Sequence, residues 1–184
     1  MQERSRKEKN ILYIVVPCYN EEQVLAETSK RLKEKCEMLI HDGKIAKESR
    51  IVFVDDGSKD HTWNMIDEFH KMDSIFSGVK LSRNRGHQNA LLAGLTMASE
   101  KADIVISMDA DLQDDINAVD QMIEKYYEGC DIVYGVRSAR DTDTFFKRFT
   151  AEAFYKLINK FTEVEIVDGA RDFRLMTKSE AKRS

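Results

Sequence analysis

Short apolar runs rich in Val and Ile recur at Ile11–Val16, Ile51–Val54, Ile104–Ile106 and Ile132–Tyr134, with a weaker run at Val79–Leu81. They are continuous rather than alternating, which predicts strands buried on both faces. Between them, apolar positions recur at helical spacing: Val24, Leu25, Thr28, Leu32, Cys36 and Leu39, then Met65, Ile66 and Phe69. The same spacing returns at Ala90, Leu91, Gly94, Leu95 and Ala98, and at Val119, Met122, Ile123 and Tyr126. Strand alternating with helix predicts an α/β fold, a mostly parallel sheet with helices on both faces. The charged stretch Asp42–Arg50 reads as a surface loop, and residues 1–184 read as a single domain without repeat or linker.

In such sheets ligands bind at the carboxyl ends of the strands. Each unusual polar cluster of this chain falls at one of those ends: Pro17-Cys18-Tyr19-Asn20-Glu21, Asp55-Asp56-Gly57-Ser58, Ser82-Arg83-Asn84-Arg85-Gly86 and Asp109-Ala110-Asp111. The four clusters are therefore expected to converge on one edge.

The last of them carries the most chemistry. Asp109 and Asp111 stand two residues apart where the run Ile104–Ile106 ends. Side chains alternate across an extended chain, so both carboxylates would point to one side and could address one divalent cation. Oxygen donors suit Mg²⁺ or Mn²⁺, which keep positions open for substrate phosphates, so a nucleotide diphosphate is the expected ligand. The competing reading is a solvated strand-to-helix connection, which suits Asp114 and Asp115 as helix caps. It suits Asp109 and Asp111 less, because charge against a buried strand is costly without a partner.

The other clusters have mixed readings. Asp55 and Asp56 could accept hydrogen bonds from a base or ribose, whereas turn chemistry accounts for Gly57, Ser58 and Asp60. Glu21 either favours a helix start or orients a ligand. Arg83, Asn84 and Arg85 before Gly86 form an electropositive, flexible helix entry suited to an anion or a polar nucleotide edge. His87 reads as a helix-surface residue.

Composition narrows the class. The 42% hydrophobic and 34% charged fractions exclude simple disorder, and a net charge of −4 argues against a nucleic-acid partner. No apolar stretch approaches the roughly 20 residues needed to cross a bilayer, and residues 1–10 lack the apolar centre of a signal peptide. The chain is thus expected to be soluble. Cys18, Cys36 and Cys130 lack metal-ligand spacing and read as ordinary thiols of a reducing compartment. The turn Pro17–Gln23 has no glycine, which disfavours a dinucleotide-dependent dehydrogenase.

Taken in order, VPCYNE, VDDGS, LSRNRGHQNALLAGL, MDADLQDD, YGVR and DFRLM resemble the inverting glycosyltransferases of family 2, which have the GT-A fold. The resemblance extends from about Ile11 to Met176 and is strongest to the branch moving a hexose from a nucleotide sugar to a polyprenyl phosphate, the dolichyl-phosphate mannose synthases and bactoprenol glucosyltransferases. It implies that Pro17, Tyr19, Glu21, Asp55 and Asp56 line the base and ribose pocket, with Asn84, Gly86 and Asp109 also on the nucleotide. It implies that Asp109, Asp111 and Gln113 serve Mg²⁺ or Mn²⁺ and the diphosphate. Arg137 matches an arginine near phosphate, Asp172 the acidic residue near the reacting centre, and Arg174 a candidate for the acceptor phosphate. Arg171 departs from the glycine many members carry there; its charge could hold a phosphate or pair with Asp172.

UDP-glucose is the favoured donor, from the likeness of VDDGSKDHTW and SRNRGHQNALLAGL to the bactoprenol branch. Arg137–Lys160 carries six basic residues against three acids beside Phe145, Phe146, Phe149, Phe154, Tyr155, Leu157, Ile158 and Phe161. That pattern fits either a helix lying in a membrane interface beside a lipid-linked substrate or a helix packed on the sheet, and the resemblance implies the cytoplasmic face of the membrane. Members of the branch usually continue into hydrophobic segments beyond Lys182-Arg183-Ser184, so a truncated catalytic domain is expected. A family 2 enzyme acting on a saccharide or protein, a non-catalytic nucleotide-sugar binding module and a homo-oligomer all stay open.

Overall fold

The structure, a computed structural model, describes residues 9–111, 113–136 and 170–183. The elements follow in the order β1 (Leu12–Cys18), α1 (Leu25–His41), β2 (Arg50–Asp55), α2 (Thr62–Met72), β3 (Phe76–Lys80), α3 (His87–Lys101), β4 (Ile104–Ser107), α4 (Ala118–Glu128), β5 (Ile132–Val136), β6 (Ala170–Thr177) and α5 (Lys178–Ala181). The sheet order is β3-β2-β1-β4-β6-β5. The pairs β1–β2, β1–β4 and β2–β3 are parallel, while β6 runs antiparallel to both β4 and β5.

Every residue of β1 is buried, as a central strand covered on both faces requires. Leu12, Ile14, Val16 and Cys18 join the core beneath α1 and α4, whereas Tyr13 and Val15 join Ala90, Leu91, Leu95 and Ala98 of α3 on the opposite face. Helices thus cover both faces, as the sequence pattern predicts. Helix α3 approaches the sheet closely at Gly94, where an added Cβ would sit 2.4 Å from Val15 Cγ1 and 2.8 Å from Val54 Cγ2.

Three details differ from the sequence reading. Strand β3 starts at Phe76 rather than Val79, because Phe76 packs into the Phe53–Phe69 cluster and pulls the strand back. The Asp42–Arg50 stretch is a connection only as far as Ser49, Arg50 opening β2, and Ile45, Ala46 and Ser49 are buried in it. Its Ser49 hydroxyl accepts the Leu12 N–H at 3.0 Å and donates to Ala46 O at 2.6 Å. The segment containing DFRLM, recognised only as a motif, is a strand: Phe173 and Leu175 enter one core and Met176 the other. The register Ile104↔Thr177 to Ser107↔Arg174 means that β6 starts at the carboxyl edge of β4. Its first residues, Asp172 among them, therefore lie along the edge where β4 ends.

Candidate active site

The loop after β1 is stapled to the start of α2 by reciprocal hydrogen bonds. The N–H groups of Asn20, Glu21 and Glu22 donate to Ser58 Oγ, Thr62 Oγ1 and Asp60 Oδ2 at 3.0, 2.8 and 3.2 Å. In return the N–H groups of Lys59 and His61 donate to Asn20 Oδ1 at 2.8 Å and Glu22 Oε2 at 2.9 Å. Asp60 also accepts the Thr62 N–H at 3.0 Å. Burial would raise the Asp60 pKa, but hydrogen bonds from Thr62 and Glu22 outweigh it and hold the carboxyl below its usual range. Thus Asp60, Glu22 and Asn20 rigidify the turn that presents Tyr19 and Glu21.

The adjacent acids after β2 have different environments. Asp55 is fully buried; its Oδ1 accepts the Ser58 N–H at 3.1 Å, and its Oδ2 has no hydrogen-bond partner among the described residues. Asp56, 2% exposed, takes the backbone N–H of Arg85 on Oδ1 at 2.7 Å and that of Gly86 on Oδ2 at 2.9 Å. One carboxylate thereby clamps the entry to α3. Gly57, at φ +70°, lies so close beneath the loop that a Cβ would stand 2.5 Å from the Arg83 carbonyl carbon.

Beyond β4 the chain turns, yet the alternation of faces persists. Met108 and Ala110 are 1% and 3% exposed, while Asp109 is half-buried and Asp111 exposed. Asp111 Oδ1 accepts the Gln113 N–H at 3.0 Å, and Met108 N–H donates to Val15 O at 3.1 Å. Asp115 Oδ1 accepts the Asn117 N–H at 2.9 Å, an Asx turn ahead of α4 rather than a cap within it.

These segments enclose a cleft of about 480 Å³ at the carboxyl edge of the sheet, lined by Pro17, Tyr19, Glu21, Asp56, Asn84, Gly86, Asp109 and Asp111, all singled out from the sequence. Asp55 and Gln113 are not among its lining residues. Arg174 is half-buried on β6, with Nε lacking a hydrogen-bond partner among the described residues. For Asp172 only the backbone position is described, and the whole of the basic, aromatic Arg137–Lys160 segment, Arg137 included, lies outside the described residues.

Cys18, His87, Ala90 and Ala110 also line the cleft. His87 Nε2 lies 3.8 Å from Asp109 Oδ1, so the imidazole faces the site rather than plain surface. Its position directly after the Arg83–Gly86 cluster was the signal in the sequence. Burial, then the charges of Glu21 and Asp55, push the Cys18 thiol well above its usual pKa, which keeps it protonated and unreactive.

The cleft is acidic. Burial, then the charges of Asp111, Asp60 and Asp109, raise the pKa of Glu21. Among the described residues no three or more His, Cys, Asp and Glu side chains are grouped to hold a metal ion by themselves. No described helix is long and apolar enough to cross a membrane.

The six-stranded, mostly parallel sheet with helices on both faces is shared with solved glycosyltransferases of the GT-A fold. The chain belongs to glycosyl transferase family 2, whose profile matches residues 13–183. It is 52% identical over 173 residues to the uncharacterized glycosyltransferase YkoT of Bacillus subtilis, covering 94% of this chain and 51% of that protein. It is 41% identical over 165 residues to the bactoprenol glucosyl transferase of Shigella phage SfV, covering 90% and 51%. The chain therefore spans about half the length of these curated relatives. The mannosyltransferase PcManGT from Pyrobaculum calidifontis, solved with GDP-Man and Mn²⁺, superimposes with a TM-score of 0.62 at 18% identity, over 97% of this chain and 47% of that one.

Proposed function

We propose that this chain moves a hexose, with inversion, from a nucleotide-diphosphate sugar to a polyprenyl phosphate, with UDP-glucose as donor and Mg²⁺ or Mn²⁺ as cofactor. The observation that carries the reading is the gathering of Pro17, Tyr19, Glu21, Asp56, Asn84, Gly86, Asp109 and Asp111 into one cleft. The bactoprenol glucosyl transferase relative supports the acceptor and the sugar.

Donor chemistry supports the ion. Asp109 and Asp111 offer hard oxygen ligands from one turn, Glu21 adds negative charge nearby, and two protein carboxylates are what a cation completed by substrate phosphates needs. Asp109 and Asp111 would hold it, with Gln113 beside them. When bound, such an ion neutralises charge on a departing nucleotide diphosphate.

The chain's own groups do the rest. Tyr19 and Pro17 flank the base and ribose, and Asp56 fixes the loop that presents Asn84 and Gly86. A polyprenyl phosphate oxygen is already ionised, so Asp172 tunes the field at the reacting centre rather than removing a proton. Arg174 and Arg137 orient the acceptor phosphate, a role supported by the buried Nε of Arg174, which has no hydrogen-bond partner among the described residues. Residues Arg137–Lys160 dock the domain on the cytoplasmic face of the membrane beside the lipid substrate.

The test is transfer of labelled glucose from UDP-glucose to polyprenyl phosphate in detergent with Mn²⁺. Label in the lipid fraction is expected, lost on omitting the lipid. Sugar transfer independent of lipid would overturn the acceptor, and nucleotide binding without turnover would overturn catalysis by this chain.

A further inference from the structure

Thr28 stands in the apolar stripe of α1, between Leu25 and Leu32, and is fully buried. A hydroxyl at such a position needs a partner, and packing alone would favour Val. Thr28 Oγ1 lies 3.1 Å from Val24 O of its own helix but only 2.6 Å from the carbonyl oxygen of Ala110, a buried contact across 82 residues of sequence, and the shorter contact takes its one proton. Ala110 is the residue between Asp109 and Asp111. We infer that Thr28 is a positioning residue for the acidic turn: it holds the Ala110 peptide against the core so that both flanking carboxylates are presented to the cleft together.

Three observations converge on that role. Regular pairing of β4 ends at Ser107, so the ladder no longer fixes the turn. The turn still keeps Met108 and Ala110 inward and lines the cleft with both acids, so other contacts must impose the alternation. Among them, Met108 N–H is held by Val15 O at the near end and Asp111 Oδ1 by Gln113 N–H at the far end, and Thr28 grips the middle. Helix α1 is itself a secure anchor, because Lys35, 7% exposed, ties it to Asp120 of α4 at 2.8 Å. The role rests on the functional reading above only for its catalytic consequence.

The test compares wild type, Thr28→Val, Thr28→Ala and Thr28→Ser by amide exchange of the metal-free protein and by titration with UDP and Mn²⁺. Thr28→Val, nearly isosteric, is expected to retain cooperative unfolding while Asp109, Ala110, Asp111 and Gln113 exchange about fivefold faster, the α1 amides staying protected. Binding of UDP with Mn²⁺ should weaken and kcat should fall by roughly tenfold or more with a smaller change in KM, since displaced carboxylates act on the transition state more than on the base pocket. Thr28→Ser should restore both. Should Thr28→Val fold poorly from its extra apolar methyl, Thr28→Ala gives the same local pattern without it. Unchanged exchange in the turn, or equal loss of protection throughout α1, would overturn the positioning role. If wild type binds no nucleotide, the functional reading fails, and the exchange data still decide whether Thr28 holds the turn.

Discussion

Replacing Asp56 with Asn tests whether one carboxylate joins the end of β2 to the start of α3. Asp56 is 2% exposed and receives the N–H groups of Arg85 and Gly86, one on each oxygen, at 2.7 and 2.9 Å. An amide keeps one acceptor and turns an NH₂ toward the other N–H. One charge-assisted bond, worth about 1.5–3 kcal/mol, is lost, and the survivor weakens to a neutral bond. The expected cost is about 2–3 kcal/mol, or roughly 5–10 °C in Tm for a domain of this size. Asp55→Asn is the control: Asp55 accepts one N–H, from Ser58, and its other oxygen has no partner among the described residues, so relief of a buried charge offsets much of the loss. Urea denaturation gives the stabilities, and amide exchange at Arg85 and Gly86 reports the loop itself. A change below about 0.5 kcal/mol for Asp56→Asn, or a larger loss for Asp55→Asn, would refute the clamp.

Asp111→Asn is expected to remove nearly all sugar transfer while leaving the unfolding transition in place, because Asp111 is exposed in the cleft; near-normal transfer would contradict its assignment to the cation. Gly94→Ala drives a methyl against Val15 and Val54, and overpacking of about 1–3 kcal/mol exceeds the gain in helix propensity of about 1 kcal/mol, so urea unfolding should shift to lower concentration. The carboxyl of Asp120 is pushed up by burial but held lower overall by Lys35 and Lys44, at 2.8 and 3.1 Å. Its folded pKa lies below the unfolded one, so its contribution is present above about pH 4 and lost as pH falls through the folded value. Asp120→Asn should flatten the fall in Tm between neutral and acid pH, and an unchanged slope would contradict the assignment.

The strands and helices through α4 were legible because continuous Val/Ile runs and helical spacing leave few alternatives. Strand β6 was not, since DFRLM mixes charge with apolar residues and only its insertion between β4 and β5 buries Phe173, Leu175 and Met176. The cleft was legible as a set of strand-end clusters, but not the division of labour within it. Nothing local distinguishes Asp55, which points into the protein, from Asp56, which grips the next loop. His87 was read as surface because a lone histidine at a helix start is most often solvated; its place after Arg83–Gly86 was the one hint, and its neighbour Asp109 comes from another strand end. Thr28 looked like one more member of an apolar stripe, for its partner is a backbone carbonyl that no side-chain pattern reveals.

The central claim is that the acidic cleft takes a nucleotide diphosphate together with a divalent cation. Calorimetric titration with UDP, GDP and CDP, each with and without Mn²⁺, tests it most directly. Binding of UDP that requires Mn²⁺, and is abolished by Asp111→Asn, is the expected result. Absence of binding by all three nucleotides, or binding indifferent to the metal, would contradict it.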